Sequence, residues 1–189
     1  MEDIILVGYG GHAKSVADCI ERQGIYNIVG YTDVKESDSK YSYLGDDEVL
    51  IDYYNKGIRN AVICLGYMGK GNLRQRLYET LKSIGYSLPV IVDSSAVVAD
   101  SAFVAEGSFI GKRAVVNAEA RIGKMTIINT MALVEHECVV GDFVHIAVAA
   151  VLCGQVKVGK AAFIGANATV IQCREILPGQ IVPAGETIR

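Results

Sequence analysis

The second half of the chain carries an aliphatic residue at every sixth position, from Val92 to Ile188, without a gap. Four residues after most of these positions comes a small residue, such as Ala114 or Ala132. This period predicts a parallel β-helix in which three repeats close one triangular coil and both sets of residues point inward. A Gly or Asn, residue types that tolerate positive φ, directly follows the aliphatic position in several repeats, so we expect the sharp corner there. These residues are Gly111, Asn117, Gly123, Asn129, Gly141, Gly159 and Gly165.

The register also predicts which side chains point outward. Residues eighteen apart should stack on one face, and one such face reads Val97, Val115, Leu133, Val151 and Thr169. An outward apolar stripe of this kind is typical of a subunit interface in a closed, symmetric oligomer. His136 and Glu137 follow inward Val134 by two and three places, so both should lie outside a corner at the edge of this stripe. His145, one place before inward Ile146, should also point outward.

Residues 1–88 show a different pattern, in which buried strands alternate with amphipathic helices. This alternation predicts a small Rossmann-like α/β domain with a parallel sheet, followed by the β-helix domain over residues 89–189. The turn after the first strand, "GYGGHAK", fits the loose form of the G-x-G-x-x-G/A fingerprint, and Asp33 ends the second strand. Such a turn brings a helix N-terminus close to a phosphate, although it serves equally well as a folding device alone. The domain is too small for a complete dinucleotide fold, so a mononucleotide diphosphate fits better than NAD.

Composition and net charge argue against several classes of binding partner. The chain has a net charge of −3 and no basic face, which argues against nucleic acid or an anionic membrane surface. No apolar run approaches the roughly 20 residues of a membrane span. The five cysteines form no C-x-x-C pair, which favours reduced thiols and a cytoplasmic location. The three histidines lie in separate segments without ligand spacing, so we expect no metal site.

Three segments, "GYGGHAK", "LGYMGKGNLR" and "NTMALVEHECVVGDFVHIAV", carry a resemblance that covers nearly the whole chain. They resemble the hexapeptide-repeat sugar O- and N-acyltransferases, the family of the sialic acid O-acetyltransferases and the PglD-type UDP-4-amino-sugar N-acetyltransferases. The resemblance implies a left-handed β-helix, a homotrimer with active sites between subunits, and acetyl-CoA as co-substrate. Many O-acetyltransferase relatives read "HIAPGA" where this chain reads "HIAVAA"; Ala149 replaces a glycine there and could crowd the cofactor.

The resemblance also implies roles for individual residues. His136 matches the general base and Glu137 the acidic neighbour that orients its imidazole, a chemistry that suits a side chain whose reference pKa is about 6.5. Contacts to the nucleotide sugar are implied for Gly10, Gly11, His12, Asp33 and Asn129. Contacts to acetyl-CoA are implied for His145, Gly154, Gly165 and Ala166, with the N–H of Gly154 as a candidate oxyanion donor.

The predicted function is therefore acetyl-CoA-dependent acetylation of the amine of a UDP- or dTDP-linked amino sugar, a step of glycan biosynthesis. Two alternatives stay open at this point. One is an O-acetyltransferase that acts on a sugar hydroxyl, such as that of sialic acid or a capsule precursor, because one histidine base serves both acceptors. The other is a nucleotide-binding, catalytically weak scaffold. The small inward positions become Arg174, Gln180 and Glu186, and the sequence ends at Arg189, where relatives usually continue with further coil and a tail that helps close the CoA groove.

Overall fold

The computed structural model describes residues 1–67, 69 and 71–189, and the chain divides into two compact units. The first unit comprises residues 1–66 and 72–89, and the second comprises Tyr67–Gly71 with Val90–Arg189. The motif "LGYMGKGNLR" therefore contributes to both units. Its Met68 and Lys70 lie outside the described residues.

The first unit is built on a four-stranded parallel sheet of order β3-β2-β1-β4. Its strands are β1 (Glu2–Val7), β2 (Tyr26–Thr32), β3 (Tyr43–Gly45) and β4 (Asn60–Ile63). Its helices are α1 (Gly11–Gln23), α2 (Leu50–Asn55), which follows a 3-10 turn over Asp47–Val49, and α3 (Leu73–Ile84). The predicted Rossmann-like parallel sheet is confirmed. The edge strand β3 was not predicted, because its three residues are too short to show a period.

Local chemistry explains where these elements begin and end. The buried run Ile4–Val7 forms the last four residues of central strand β1, as expected for a parallel strand covered on both faces. Helix α1 ends at Gly24, whose φ of 67° and N–H bond to the Ile20 carbonyl form a left-handed cap. The sheet order reverses between β1 and β4, and ligands of open α/β sheets bind at the carboxyl ends of strands beside such a reversal.

The second unit is a parallel β-helix of two-residue strands arranged in three sheets. The strands are β5 (Ile91–Val92), β6 (Val97–Val98), β7 (Phe103–Val104), β8 (Phe109–Ile110), β9 (Val115–Val116), β10 (Arg121–Ile122), β11 (Ile127–Ile128), β12 (Leu133–Val134), β13 (Val139–Val140), β14 (His145–Ile146), β15 (Val151–Leu152), β16 (Lys157–Val158), β17 (Phe163–Ile164), β18 (Thr169–Val170), β19 (Glu175–Ile176), β20 (Ile181–Val182) and β21 (Thr187–Ile188). The predicted left-handed β-helix is confirmed.

The stacking register is the one that the six-residue period predicts. Leu133 pairs with Val115 on one side and Val151 on the other, eighteen residues away in each direction. The aliphatic and small inward residues form one continuous buried core from Ile110 to Val182. Each aliphatic side chain that the coil takes out of water contributes roughly 1.5–3 kcal/mol, which explains why the period is kept without a gap.

The predicted position of the corner was wrong. Positive φ occurs three residues after the aliphatic position, as at Glu137 (59°) and Gln155 (62°), and not directly after it. Glycine directly after the aliphatic residue has another cause: a Cβ on Gly123 would lie 2.6 Å from the backbone nitrogen of Asp142 on the next coil. The close approach of stacked coils, and not backbone handedness, therefore favours glycine there.

The three outward faces differ in exposure. On the predicted apolar stripe Val97 is 62% exposed, while Val115, Leu133 and Val151 are half-buried. The face that includes Ile127 and His145 is buried in its central coils. None of the helices in the described part of the chain combines the length and apolar character of a membrane span.

Candidate active site

The pair His136–Glu137 lies outside the corner that follows β12, as the register predicts. Both side chains are about half exposed, at 52% and 47%. The Nδ1 atom of His136 lies 3.0 Å from Oε2 of Glu137. Because a carboxylate accepts only, Nδ1–H donates and the lone pair of the neutral imidazole is on Nε2. Within the described residues Nε2 has no hydrogen-bond partner, so this nitrogen is free to accept a proton.

The carboxylate of Glu137 has a second donor. Nε2 of Gln155, one coil further along the helix, lies 3.1 Å from the same Oε2 atom. The hydrogen bonds from His136 and then Gln155 hold the pKa of Glu137 below its usual value of 4.5. Glu137 is therefore ionised at neutral pH and stabilises a positive charge on the imidazole.

Gly154 lies directly against the imidazole of His136. A Cβ built on Gly154 would be 2.6 Å from both Cε1 and Nε2 of that ring, so only glycine leaves the ring in place. The backbone N–H of Gly154 makes no hydrogen bond to the described part of the chain. At the equivalent positions one and two coils earlier, a side chain accepts the backbone N–H. The N–H of His136 donates to Glu135, and the N–H of Ala118 donates to Asn117. Cys153, which precedes Gly154, has no side-chain oxygen that could accept this N–H. The N–H of Gly154 is therefore suited to stabilise an oxyanion.

His145 lies on strand β14, beside a second corner, and is buried, at 8% exposure. It points away from the coil interior as predicted, but Tyr67 and Phe163 cover it. Its Nδ1 donates to the Tyr67 carbonyl at 2.5 Å, and its Nε2 faces the side-chain amide of Asn129 at 3.1 Å. Both ring nitrogens are thus engaged within the chain, and the amide oxygen of Asn129 accepts from Thr130 N–H at 2.8 Å. These contacts hold the segment that includes Tyr67 on the β-helix.

Gly165 and Ala166 follow β17 at this second corner. The N–H of Gly165 donates to the Val182 carbonyl at 2.8 Å, and a Cβ on Gly165 would collide with the backbone of Ala184. Gly165 is buried, whereas Ala166 is half-buried and its carbonyl accepts from Gly185. The ladder between coils accounts for Gly165, so its predicted contact with acetyl-CoA stays a prediction.

The predicted residues of the β-helix therefore form two groups. His136, Glu137 and Gly154 meet at the corner after β12 and β15. Asn129 and His145 meet at the neighbouring corner, one six-residue repeat earlier in each coil, and the half-buried apolar stripe lies between the two groups. Within one chain the two groups do not form a single site.

In the first unit the glycine turn leads into α1 as predicted. Gly8 has a φ of 86°, and a Cβ there would lie 2.5 Å from Cδ2 of Leu65, whereas Cβ atoms on Gly10 and Gly11 would meet open space. Gly10 precedes α1 and makes no side-chain cap hydrogen bond, and a helix N-terminus of this kind can bind an anion. His12, in this first turn, is half-buried.

Asp33 ties the glycine turn to the end of β2. One carboxylate oxygen accepts from the N–H of Tyr9 and the other from the N–H of Val34, both at 2.7 Å. A cleft of about 450 Å³ adjoins Tyr9, and Lys14 and Tyr41 also line it. The Tyr41 hydroxyl donates to Glu21, and burial followed by this hydrogen bond raises the pKa of Tyr41 to about 12.

Two parts of these sites were not predicted. Gln155 has no signal of its own in the sequence, although its place eighteen residues after Glu137 puts it at the same corner. Tyr67 comes from a segment that no repeat marks, and its hydroxyl donates to the Ala161 carbonyl at 2.8 Å. Among the described residues no three His, Cys, Asp or Glu side chains gather as they would around a metal ion.

Both the sequence and the fold of this chain are similar to those of known proteins. Residues 3–81 match the family model described as the PglD N-terminal domain. A mutant of the perosamine N-acetyltransferase from Caulobacter crescentus, in complex with CoA and GDP-perosamine, is 30% identical with a TM-score of 0.93. That match covers 100% of this chain and 89% of the other.

Two further solved structures are similar over nearly the whole chain. PerB from Caulobacter crescentus, in complex with CoA and GDP-perosamine, is 32% identical with a TM-score of 0.94, over 100% of this chain and 89% of that one. The acetyltransferase domain of PglB from Neisseria gonorrhoeae, in complex with acetyl coenzyme A, is 28% identical with a TM-score of 0.90, over 99% and 92%.

Proposed function

Because this chain belongs to the sugar acyltransferase family that includes the PglD-type N-acetyltransferases, we propose that it transfers the acetyl group of acetyl-CoA to the amine of a nucleotide-linked amino sugar. The observation that carries this proposal is the imidazole of His136, held through Nδ1 by an ionised Glu137 with its Nε2 lone pair open. A coil that needed only stability would gain little from an exposed pair of this kind, since solvent and salt screen the attraction between exposed charges.

His136 acts as the general base in this proposal. Nε2 accepts the proton that the amine loses as its nitrogen attacks the thioester carbonyl, and Glu137 stabilises the resulting imidazolium. Nε2 then returns the proton to the sulfur of CoA as the C–S bond breaks. A carbon–nitrogen bond forms, a carbon–sulfur bond breaks, and His136 ends the cycle neutral.

Gly154 stabilises the charge that develops on the carbonyl oxygen. Its N–H has no partner in the described part of the chain and lies beside the base, so an acyl carbonyl within reach of both groups is polarised as the amine attacks. Removal of one such donor typically costs about 10²–10³ in kcat, which makes its position as important as that of the base.

The first unit holds the nucleotide diphosphate at the open glycine turn. Gly10 and Gly11 leave room for a phosphate beside the uncapped first turn of α1, and Lys14 on the same helix supplies a cation at the neighbouring cleft. Asp33, predicted as a contact to the nucleotide sugar, is also needed to hold the turn. The sequence favours a UDP or dTDP carrier, while the similar Caulobacter crescentus proteins are in complex with GDP-perosamine.

The complete site requires a second copy of the chain. The group at His136 and the group at His145 lie on either side of the apolar stripe, so a neighbouring copy packed on Leu133 and Val151 brings one group of each chain together. A homotrimer closes this arrangement without leaving an open interface. Acetyl-CoA and free cysteines both favour a cytoplasmic location.

The experiment is a thiol-release assay with acetyl-CoA and a panel of acceptors: UDP-, dTDP- and GDP-linked 4-amino sugars, the matching 4-hydroxy sugars, and free and CMP-linked sialic acid. Turnover on an amino sugar, with an acetamide in the product by mass spectrometry, is the expected result. Turnover on hydroxyl acceptors alone would replace N-acetylation with O-acetylation. Absence of turnover and of CoA binding would contradict the proposed function.

A further inference from the structure

Gln155 occupies the same corner as Glu137 on the next coil. The two residues are eighteen apart, and both have a left-handed backbone, with φ of 62° and 59°. The corner directs both side chains outward to the same strip of surface. Within this strip Nε2 of Gln155 and Nδ1 of His136 reach one atom, Oε2 of Glu137, at 3.1 and 3.0 Å.

We propose that Gln155 is a positioning residue, which holds the carboxylate of Glu137 where it accepts the Nδ1 proton of His136. This inference rests on the proposed function, in which His136 is the base. Gln155 touches no reacting atom in this proposal, and it acts through Glu137.

The solvent exposure of Glu137 explains why the His136–Glu137 pair needs Gln155 as a third member. The side chain of Glu137 is about half exposed, and an exposed carboxylate loses much of its hydrogen bonding to competing water and alternative rotamers. A second donor at 3.1 Å, fixed to the neighbouring coil, restricts those rotamers and keeps Oε2 facing the imidazole. The lone pair of the base then stays on Nε2, beside Gly154.

The orientation of the Gln155 amide has its own support. Its Oε1 atom accepts from the thiol of Cys173 at 3.3 Å, one coil further along the same corner. This contact turns the oxygen toward Cys173 and the NH₂ group toward Glu137. A cleft of about 410 Å³ borders Glu137, Gln155 and Cys173, so this strip of surface is open to solvent.

The first test is a double-mutant cycle at Gln155 and Glu137. Gln155→Leu removes the amide at similar length and should lower kcat by about 3- to 10-fold, with KM for both substrates nearly unchanged, because only the geometry of the base is lost. In a Glu137→Gln background the same change should cost nothing further, since Gln155 acts through the carboxylate. Arg113→Ala is the matched control: Arg113 is exposed, has a φ of 55° and lies at a different corner.

The second test measures the tautomer of the His136 imidazole by NMR and does not depend on enzyme activity. The chain has only three histidines, so two-bond ¹H–¹⁵N spectra are simple, and His136→Ala assigns the signal of interest. At about pH 8.5, where an ordinary imidazole is neutral, His136 should be the Nδ1–H tautomer in the wild type and a mixture of tautomers in Gln155→Leu. Arg113→Ala should match the wild type.

Two results would overturn the proposal: a multiplicative loss of kcat in the double variant, or an unchanged Nδ1–H tautomer in Gln155→Leu. Failure of the proposed function is distinguishable from both. A wild-type chain without acetyl transfer to any acceptor would contradict the function, while the tautomer comparison would still decide the role of Gln155.

Discussion

Gly154→Ala tests whether the position of the His136 ring decides the rate. The substitution adds one methyl group, whose carbon would lie 2.6 Å from Cε1 and Nε2 of the imidazole. Ordinary contacts between such atoms begin near 3.4 Å, so the ring must move by roughly 1 Å. The backbone tolerates alanine here, because φ of Gly154 does not lie in the left-handed region.

The expected loss follows from this displacement. A misplacement of about 1 Å at a reacting group can cost about 10²-fold in rate, or roughly 2.7 kcal/mol of transition-state stabilisation. The ring is about half exposed and can swing into solvent, so the folded state should lose little stability. We therefore expect kcat to fall by about 10- to 100-fold, with a thermal midpoint close to that of the wild type.

Gly141→Ala provides the matched contrast. A Cβ on Gly141 would lie 2.8 Å from the backbone nitrogen of Lys160 on the next coil, and a stacked backbone cannot swing away. This variant should lose about 1–3 kcal/mol of unfolding free energy, because overpacking against a rigid neighbour distorts the coil. Its kcat, measured well below the thermal midpoint, should change less than that of Gly154→Ala.

The assay is thiol release under saturating acetyl-CoA and acceptor, with scanning calorimetry on the same samples. In a His136→Ala background, Gly154→Ala should add little further loss, because the ring that it displaces is gone. An undiminished kcat for Gly154→Ala would show that the imidazole is not needed in the observed position and would refute the role of His136 as base.

The remaining predictions concern the base, its partner and the interface. His136→Ala should lower the acetylation rate by about 10²–10⁴-fold with the oligomer intact by ultracentrifugation, and a near-normal rate would remove His136 from the base role. The pKa of Glu137 is depressed in the folded chain, so its contacts stabilise the fold above the unfolded pKa, and this contribution is lost as pH falls below about 4.5. Calorimetry across pH 3–7 should therefore show a thermal midpoint that depends less on pH in Glu137→Gln than in the wild type. Identical profiles for the two proteins would exclude the contribution. Leu133→Glu should reduce assembly and activity together. Val139→Glu, which changes an apolar residue on another outward face, should change neither. A fully active monomer of Leu133→Glu would contradict the shared site.

Much of the β-helix could be predicted from the residues alone. A period of six places Leu133 on Val115 and Val151, and it directs His136 and Glu137 outward, because the repeat and the coil have the same geometry at every turn. The same argument misplaced the corner. Glycine after an aliphatic residue indicates either positive φ or a close neighbour, and only the stacked backbone shows that the close neighbour is the cause.

The two kinds of domain, the stacking register and the outward direction of His136 can all be predicted from the residues, since each depends on local spacing along the chain. Which of these groups come into contact depends on the folded chain. It brought Tyr67 onto His145 from seventy-eight residues away, placed Gly154 against the imidazole, and gave Glu137 its second donor in Gln155. Such contacts depend on the positions of atoms from distant parts of the chain to within a few tenths of an ångström, and no periodic pattern carries that information.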